Sequence, residues 1–374
     1  MSTDARDVVV IGAGIVGSMT SYLLCRRGLS VTMIEADTPG SHASGLAFGG
    51  LDPLHGIGVP EPLLDFSLFC MGRHRSIARE FHGATGLDPQ FRSRDRLYLA
   101  FDDDDAEREQ LDEAWMRRVP GFNVRWLDRD SVRRLEPKVN PECVGGLHIS
   151  GMGAVDAHEL TMAAIRSAER YGAGLVAQRA TGLEHTGGHA TAVTFDGGSI
   201  EAGTVVVAMG PWSQVVTDWC GAPVPVEPLK GQILRFRYEG TPFNVALNYK
   251  GNYVDSKLDG LVWAGSTEED VGFDHHPNSN GRDSILNDLA RMAPSIGSSR
   301  IVNHTACLRP VTPDGIPVVG RLPGWDNLYL ASGAGRKGIL WSVGMSQVVA
   351  DLITEGATEV AGAEYLKPAR FVAD

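Results

Sequence analysis

The first 35 residues place a glycine-rich turn between apolar runs. Asp7–Ile11 is a short, continuous apolar run and predicts a buried strand. Ile15–Arg27 has apolar residues on one helical stripe and predicts a helix that ends at Gly28, and Leu29–Glu35 predicts a second strand. A strand–helix–strand segment of about 30 residues is typical of a βαβ unit with parallel strands.

The middle of the chain changes its pattern several times. Residues 60–140 are charged and predict mainly helices, and Ala157–Val176 predicts a helix followed by a strand. A hairpin is then expected before a buried strand at Thr204–Met209. Residues 224–300 alternate apolar and polar positions between glycine turns, which predicts an antiparallel sheet.

Near the end of the sequence, Asn327–Ile353 predicts a strand, a glycine-rich turn and a long helix. The fold class expected from these patterns is α/β (α+β), a doubly wound Rossmann-like domain with an inserted antiparallel-sheet domain. We assign residues 1–75, 145–222 and 301–374 to the first domain. We assign residues 76–144 and 223–300 to the inserted one.

Composition excludes several classes of protein. The 374 residues carry a formal net charge of −12, which argues against nucleic acid and anionic membranes as partners. The five cysteines are scattered without zinc spacing, which predicts no metal site and reduced thiols in the cytoplasm. The sequence shows no signal segment and no apolar run of membrane-span length. The acidic run Asp102–Asp105 is expected to be a solvated loop.

The turn in VVVIGAGIVG, Val8–Gly17, has the spacing of a dinucleotide-binding fingerprint. Gly12 permits a tight turn, Gly14 lets the backbone approach a pyrophosphate, and Gly17 lets the helix pack closely on the strand. Glu35 ends the second strand, where a carboxylate accepts ribose hydroxyls and disfavours a 2′-phosphate. This motif alone leaves NAD and FAD both open.

A second glycine-rich turn, Ser332–Gly338, precedes the final helix and creates a second helix N-terminus that attracts anions. An NAD protein needs one such site, whereas a flavin protein uses one for the pyrophosphate and one for the pyrimidine edge of the isoalloxazine. Arg336 or Lys337 would supply a cation near the reduced ring. Resident FAD is therefore the better interpretation.

Two further segments complete the predicted cofactor site. Ser41–Leu51 is small and glycine-rich, as expected for a loop beside a flat ligand, and the strand end at 208–212 would close over the nucleotide. The predicted cofactor-binding residues are Gly12, Gly14, Ile15, Val16, Gly17, Glu35, Ala36, Ser44, Gly49, Gly50, Leu51, Ala180, Ala208, Gly210, Trp212, Cys307, Arg309, Gly333, Gly335, Arg336, Lys337, Gly338 and Ile339.

The ordered set GAGIVG with Glu35, AMGPWS, PLKGQILR, WAGSTEEDVGFD, LRPVTPDGIPVVG and ASGAGRKGIL resembles the D-amino-acid oxidase superfamily over nearly the whole chain. It is most similar to glycine oxidase and sarcosine oxidase-like enzymes. The resemblance implies an FAD-binding first domain and an inserted substrate-binding domain. It also implies oxidation of the C–N bond of a small amino acid or N-alkyl amino acid. Flavin N5 takes a hydride, the imine hydrolyses, and O2 reoxidises the flavin to give hydrogen peroxide.

The resemblance also implies roles for single residues. Arg309, in LRP, would clamp a substrate carboxylate, and the alternatives are a salt bridge to Asp314 or a surface contact. Tyr253, and with less support Tyr249, would border the substrate. The family often follows this tyrosine with Pro-Arg, whereas this chain has Asp255-Ser256-Lys257, so the rim is altered.

Other positions are open or depart from the family. Cys307 stands where monomeric sarcosine oxidases link the flavin covalently, but non-covalent FAD is favoured. Ala334 replaces a histidine frequent in the family. Lys230 is expected to be a solvated strand residue, and His275 and His276 surface residues.

The partners expected are a small carboxylate-bearing amine and O2 or another electron acceptor. Three alternatives use the same fold: a dehydrogenase that reduces a quinone or partner subunit, a hydroxy-acid oxidase, and a non-catalytic flavin-binding subunit. The specific amine is not defined by the sequence, and a homo-oligomer or a partner subunit is open.

Overall fold

The computed structural model describes residues 3–372 and divides the chain into two compact units. The first unit comprises residues 1–91, 155–229 and 308–374, and the second comprises 92–154 and 230–307. Each unit has its own sheet and its own apolar core.

The strands and helices follow one another along the whole chain. The strands are β1 (Thr3–Ile11), β2 (Val31–Glu35), β3 (Gly50–Leu51), β4 (Arg92–Ser93), β5 (Arg96–Ala100), β6 (Asn123–Asp128), β7 (Gly145–Ser150), β8 (Gly153–Ala154), β9 (Gly174–Ala177), β10 (Ala180–Thr186), β11 (His189–Phe195), β12 (Gly198–Val207), β13 (Glu227–Arg237), β14 (Ala246–Tyr249), β15 (Asn252–Ser256), β16 (Val262–Gly265), β17 (Arg300–Val311), β18 (Val318–Arg321) and β19 (Leu328–Ser332). The α-helices are α1 (Ile15–Arg26), α2 (Ala43–Leu46), α3 (Leu64–Thr85), α4 (Asp103–Met116), α5 (Arg129–Leu135), α6 (Ala157–Arg170), α7 (Val216–Cys220), α8 (Ser279–Met292) and α9 (Gly338–Thr354).

The first unit is built on a mainly parallel sheet. Strand β1 pairs in parallel with β2 on one side and with β12 on the other; β2 continues to β9, and β12 to β19. Parallel strands buried on both faces are continuous apolar runs. In β1, Val8 and Val10 face one core cluster with α1, α3, α6 and α9, whereas Val9 and Ile11 face another. This is the predicted doubly wound Rossmann-like architecture, and the α/β prediction is confirmed.

The second unit contains a sheet in the order β17-β13-β16-β15-β14-β5-β7-β6. Within it, β16 pairs antiparallel with β13 and β15, β15 with β14, and β7 with β5 and β6, whereas β14 pairs in parallel with β5. One face is apolar, with Leu97, Leu247, Val254 and Leu234 packed against Leu289 of α8. The opposite face carries the residues between them in sequence, and these are largely polar or aromatic.

The domain boundaries drawn from the sequence differ from those of the units. Residues 76–91 belong to the first unit because α3 is continuous through them, and its Ile77 and Phe81 pack in that unit's core. Residues 145–154 belong to the second unit, since β7 pairs with β5 and β6. Residues 223–229 lie in the first unit and 301–307 in the second.

Three local predictions were wrong. Residues 60–140 include strands β4, β5 and β6 besides helices, and residues 224–300 include the helix α8. The acidic run Asp102–Asp105 starts α4: the Asp102 side chain accepts a hydrogen bond from the Asp105 backbone N–H at 2.8 Å. Acidic residues favour the first turn of a helix because they cap free N–H groups and complement the dipole.

Within residues 3–372, no helix is both long and apolar enough to cross a membrane. All five cysteines are free thiols.

Candidate cofactor and substrate site

The glycines of the fingerprint stand where a side chain cannot fit. Gly12 has φ +105°, and a Cβ on it would lie 2.4 Å from the Ala208 carbonyl oxygen. A Cβ on Gly17 would lie 2.0 Å from the Gly12 carbonyl oxygen. The turn between β1 and α1 is therefore packed directly on the end of β12, as predicted for a nucleotide-binding turn.

The N-terminus of α1 is suited to an anionic group. Gly14 is its N-cap and provides no side-chain cap, and the first turn contains no acidic residue. The Ile15 backbone N–H donates to Ser44 Oγ at 3.0 Å, which brings the predicted loop residue Ser44 to the fingerprint. Backbone N–H groups and the helix dipole together favour a phosphate at such a position.

Glu35 lies at the end of β2, beside the same turn. Its Oε2 accepts a hydrogen bond from the Ala13 backbone N–H at 2.7 Å, and its Oε1 accepts from the Asp37 N–H at 3.0 Å. These bonds fix the carboxylate, which has further lone pairs for ribose hydroxyls. Ala36 follows it directly and begins the turn after β2.

The glycine-rich loop 41–51 runs close to other backbone. A Cβ on Gly49, which has φ +78°, would lie 2.2 Å from the Val155 carbonyl oxygen. Gly50 and Leu51 form β3, and Leu51 is buried in the core of the first unit. The loop is thus held tightly by the protein itself and is not a loose linker.

The turn before α9 provides the second helix N-terminus. Gly333 and Gly335 have positive φ, +82° and +50°, and a short 3₁₀ helix, Gly335–Lys337, leads into Gly338 and Ile339 of α9. Lys337, the N-cap, makes no side-chain cap, and the first turn has no acidic residue. The two predicted anion-attracting helix N-termini are therefore both present in the first unit.

The two cations of this turn have different surroundings. Lys337 Nζ donates to the Asp52 carbonyl at 2.9 Å and lies 5.6 Å from the Trp341 ring centroid. Its ammonium is therefore directed to the loop near Asp52. Arg336 is exposed.

The remaining predicted nucleotide-binding residues lie either after the end of β12 or in the apolar cores of the first unit. Gly210 accepts hydrogen bonds from Ser332 Oγ at 2.9 Å and Ser213 Oγ at 2.7 Å, which joins the end of β12 to the end of β19. The half-buried Trp212 ring packs on His42, with 4.7 Å between the ring centroids. Ala180 is buried at the start of β10, and Val16 packs against the core of the first unit.

Arg309 is half-buried on β17, and the alternative salt bridge to Asp314 is wrong. The Asp314 carboxylate pairs with Arg370 instead, at 2.8 Å from Nε and 3.2 Å from Nη2. Burial alone would raise the pKa of Asp314, but the hydrogen bonds from Arg370 lower it below its usual value. This ion pair ties the turn after β17 to Arg370 near the C-terminal end of the chain, and the carboxylate clamp by Arg309 stays a prediction.

Tyr253 and Tyr249 point to opposite faces of the second sheet, because side chains alternate along strands. Tyr249 meets Phe101 edge-on, with 5.0 Å between ring centroids, and packs with the apolar cluster. Tyr253 lies on the polar face, opposite Asn248 and Gly265 in the strand register. The structure thus does not bring the two tyrosines together, and Tyr249 is a packing residue.

Lys230 is buried, which corrects the prediction of a solvated side chain. Its Nζ lies 2.9 Å from Asp274 and 3.3 Å from Glu269, in a cluster that Gln232 joins by donating to Glu269 at 2.6 Å. Burial opposes ionisation of Glu269, yet the hydrogen bonds it accepts lower its pKa to about 2. Lys230 therefore anchors the loop after β16.

Three other single-residue predictions are located as follows. Cys307 is half-buried on β17. His275 and His276 are exposed and stacked, with 4.7 Å between ring centroids, as predicted for surface residues.

Two buried residues of the polar sheet face, Arg96 and Asn248, were not predicted from the sequence. Both are buried, at 6% and 8% exposure. The signal was present in RLYLA, Arg96–Ala100, where Leu97 and Leu99 alternate with Arg96 and Tyr98, but the run lay within a segment predicted to be helical.

The chain is similar to known proteins over nearly its whole length. A family model described as FAD dependent oxidoreductase, DAO, matches residues 7–352. The chain is 27% identical over 370 residues to glycine oxidase of Pseudomonas aeruginosa, covering 98% of this chain and 100% of that protein. It is 28% identical over 394 residues to the hydrogen cyanide synthase subunit HcnC of Pseudomonas protegens, covering 94% and 93%.

Among solved structures, glycine oxidase from Geobacillus kaustophilus superposes with a TM-score of 0.94 at 26% identity, covering 99% of this chain and 100% of that one. The two helix N-termini, the fingerprint glycines and Glu35 fit a dinucleotide cofactor, and the family match identifies it as FAD, not NAD. The chain therefore belongs to the DAO family of FAD-dependent oxidoreductases.

Proposed function

We propose that this enzyme oxidises the C–N bond of a small amino acid or N-alkyl amino acid and passes the electrons to O2, forming hydrogen peroxide. The observation that carries the proposal is the half-buried Arg309 on β17, in a chain that the model of an FAD-dependent oxidoreductase family matches over residues 7–352. A guanidinium fork matches a planar carboxylate in two parallel hydrogen bonds. The similarity to proteins named glycine oxidase supports an amino acid as the substrate.

The proposed roles are divided between the two units. In the first unit, Gly12, Gly14 and Gly17 would hold the pyrophosphate of FAD, Glu35 would hold the ribose, and the N-terminus of α9 would hold the pyrimidine edge of the flavin. Arg309 holds the substrate carboxylate. In the second unit, Tyr253 borders the substrate, and Tyr249 has no part in binding.

Bound FAD supplies the hydride acceptor, flavin N5. The protein's contribution is to hold the amine with its C–H directed at that atom, and to exclude water from it. Positioning by Arg309 and Tyr253 needs no acid–base pair, since the reacting amine only has to be present in its neutral form.

Turnover with and without the clamp tests the proposal. The purified holoenzyme is assayed with glycine, sarcosine, D-amino acids and 2-hydroxy acids, and hydrogen peroxide and released ammonia or amine are measured. For Arg309→Met we expect kcat/KM to fall about 100-fold or more, because a charged hydrogen-bonded pair is lost. The control is Arg321→Met, an exposed arginine on β18 of the same unit, for which no change is expected.

Each alternative function gives a distinct result. Flavin reduction by amines without hydrogen peroxide would indicate a dehydrogenase. A keto product without ammonia or amine would indicate a hydroxy-acid oxidase. A flavin that no amine or hydroxy acid reduces would indicate a non-catalytic subunit, and equal activity of the Arg309→Met and wild-type enzymes would overturn the carboxylate clamp.

We propose that FAD is bound without a covalent link and that the enzyme works in the cytoplasm. Acid precipitation tests the first point: the flavin is expected in the supernatant, and colour in the pellet that Cys307→Ser abolishes would establish the thioether. Free thiols at all five cysteines support a reducing compartment.

A further inference from the structure

Two loops of the first unit meet across the carboxyl end of β1. The ring of His42, in the loop after β2, packs on the half-buried ring of Trp212, in the turn after β12, with 4.7 Å between the ring centroids. Strands β2 and β12 are the two neighbours of β1, so the loops that follow them start about 10 Å apart, two strand spacings. The ring contact therefore joins the two sides of the strand end at which the fingerprint turn begins.

The loop that carries His42 is attached to the fingerprint turn on both sides of that residue. At its start, Glu35 Oε2 accepts a hydrogen bond from the Ala13 backbone N–H at 2.7 Å. Further along, Ser44 Oγ accepts one from the Ile15 backbone N–H at 3.0 Å. The His42 ring is thus held beside the backbone that we expect to bind the ribose and the pyrophosphate of FAD.

The turn that carries Trp212 contacts the same backbone from the other side. Ala208 directly follows β12, and a Cβ on Gly12 would lie 2.4 Å from its carbonyl oxygen. The carbonyl of Gly210 accepts a hydrogen bond from Ser332 Oγ at 2.9 Å, which fixes the turn to the end of β19. A fixed backbone therefore presents the Trp212 ring to the mobile side chain of a surface histidine.

A carboxylate orients the histidine. Asp37 Oδ2 accepts a hydrogen bond from His42 Nε2 at 2.9 Å, and Arg179 Nη2 lies 3.7 Å from the other oxygen of Asp37. The side chains of His42 and Asp37 are 36% and 47% exposed. Exposed contacts of this kind contribute little to the stability of a fold. The contact between the rings can therefore open and close without disturbing the core of the unit.

We propose that His42 and Trp212 form a strap across the nucleotide-binding turn that covers the ADP half of FAD and slows its release. The predicted cofactor-binding residues include Trp212, but neither His42 nor Asp37. The fingerprint glycines bind through backbone alone, and the strap adds side-chain contacts to them. The inference rests on FAD as the cofactor and not on the proposed amine oxidation, so its test needs no substrate.

The rate of FAD release is the first readout. The holoenzyme is mixed with an excess of a second apoflavoprotein that traps free FAD, and the loss of bound flavin is followed by its absorbance. For His42→Ala we expect release to be about 3- to 10-fold faster, the effect of losing one aromatic contact. His42→Phe keeps a ring on Trp212 and should release FAD nearly as slowly as the wild type.

The matched control is another pair of a histidine and a tryptophan in the same unit. His185 on β10 is exposed and meets the Trp325 ring edge-on, with 5.1 Å between the ring centroids. Strand β10 lies three places from β1 in the sheet order, so this contact is remote from the fingerprint turn. His185→Ala should release FAD at the wild-type rate, and the melting temperatures of the three apoproteins should agree.

Binding of ADP to the apoprotein is the second readout, because ADP has the nucleotide half of FAD and no flavin. His42→Ala should weaken ADP and FAD by the same factor. Weaker binding of FAD with unchanged binding of ADP would overturn the assignment of the strap to the ADP half. Equal release rates for wild type and His42→Ala, or release from His42→Phe as fast as from His42→Ala, would overturn the strap itself.

Discussion

The two units of the protein present ligand-binding groups in different ways. The first unit uses its backbone: glycines that admit close approach, and the uncapped N-termini of α1 and α9. In the second unit, the group that we propose borders the substrate is a side chain, Tyr253, on the polar face of the sheet. A backbone site accepts any ligand of the right charge and shape, as a shared cofactor requires. Side chains can change residue by residue, which suits substrate selection.

The largest effect should come from breaking the backbone site. In Gly17→Ala, the new Cβ would lie 2.0 Å from the Gly12 carbonyl oxygen, which displaces α1 from the turn. We expect the purified protein to lack flavin absorbance, or to be insoluble. The control is Gly72→Ala in α3, where a Cβ meets nothing within 4 Å and should stabilise the helix by about 1 kcal/mol. A Gly17→Ala enzyme with its full flavin content would contradict this account of the first unit.

The next effect concerns the support of the second unit. Lys230→Met leaves Glu269 and Asp274 without their shared buried cation, and should lower the free energy of unfolding by about 3–5 kcal/mol. Lys250→Met removes an exposed partner of Asp105 and should cost about 1 kcal/mol or less. Denaturant unfolding of both variants measures the difference in their free energy of unfolding. Equal destabilisation would show that the buried cluster contributes no more to stability than an exposed ion pair does.

A third prediction concerns how α9 is held in the first unit. His74 is buried with its Nε2 2.9 Å from the Leu340 carbonyl, and burial lowers its pKa from 6.5 to about 4. The neutral imidazole is the form that the folded state holds, so acid favours the unfolded chain. Stability is therefore expected to decline as pH falls from 6.5 towards 4, by roughly 3 kcal/mol for this group.

The control compares two histidines of the same helix. His74→Gln keeps a donor for Leu340 but does not titrate, so its stability should depend less on pH over this range. His82→Gln, at an exposed position, should retain the wild-type dependence. Melting temperatures at several pH values give the slopes, and identical slopes for all three proteins would exclude His74 as a source of acid sensitivity.

The smallest expected effect compares the two faces of the second sheet through Tyr253 and Tyr249. Tyr253→Phe should lower kcat/KM about 10-fold through loss of one hydrogen bond to substrate, whereas Tyr249→Phe should change it less than about 2-fold. The Tyr249 ring stays packed on Phe101 in either case. A larger loss of kcat/KM in Tyr249→Phe than in Tyr253→Phe would place the substrate on the opposite face of the sheet and contradict the proposal.

The same contrast explains what the sequence could predict. The fingerprint glycines, Glu35 and the turn before α9 are local signals, because each depends on backbone conformation within a few residues. The polar face that carries Tyr253, Asn248 and Arg96 depends on the register of three strands. Two of these strands lie more than 140 residues from the third in sequence, as Asn248 and Tyr98 pair across β14 and β5. Local sequence motifs cannot reveal a pairing between such distant strands.

Two errors have the same physical origin. Tyr249 and Tyr253 are close in sequence, but the hairpin between β14 and β15 directs them to opposite faces. Lys230 is a charged residue near the start of a strand, which predicts a solvated side chain, yet acidic residues from the loop after β16 enclose it. Burial by distant residues is a tertiary property that composition and periodicity do not contain.

The most direct test of the central claim is anaerobic addition of amines to the purified holoenzyme, followed by the absorbance of oxidised flavin. The account predicts a yellow protein whose flavin is bleached by a carboxylate-bearing amine, and not bleached by the same compound in Arg309→Met. A colourless protein that cannot take up FAD, or a flavin that no amine reduces, would contradict it.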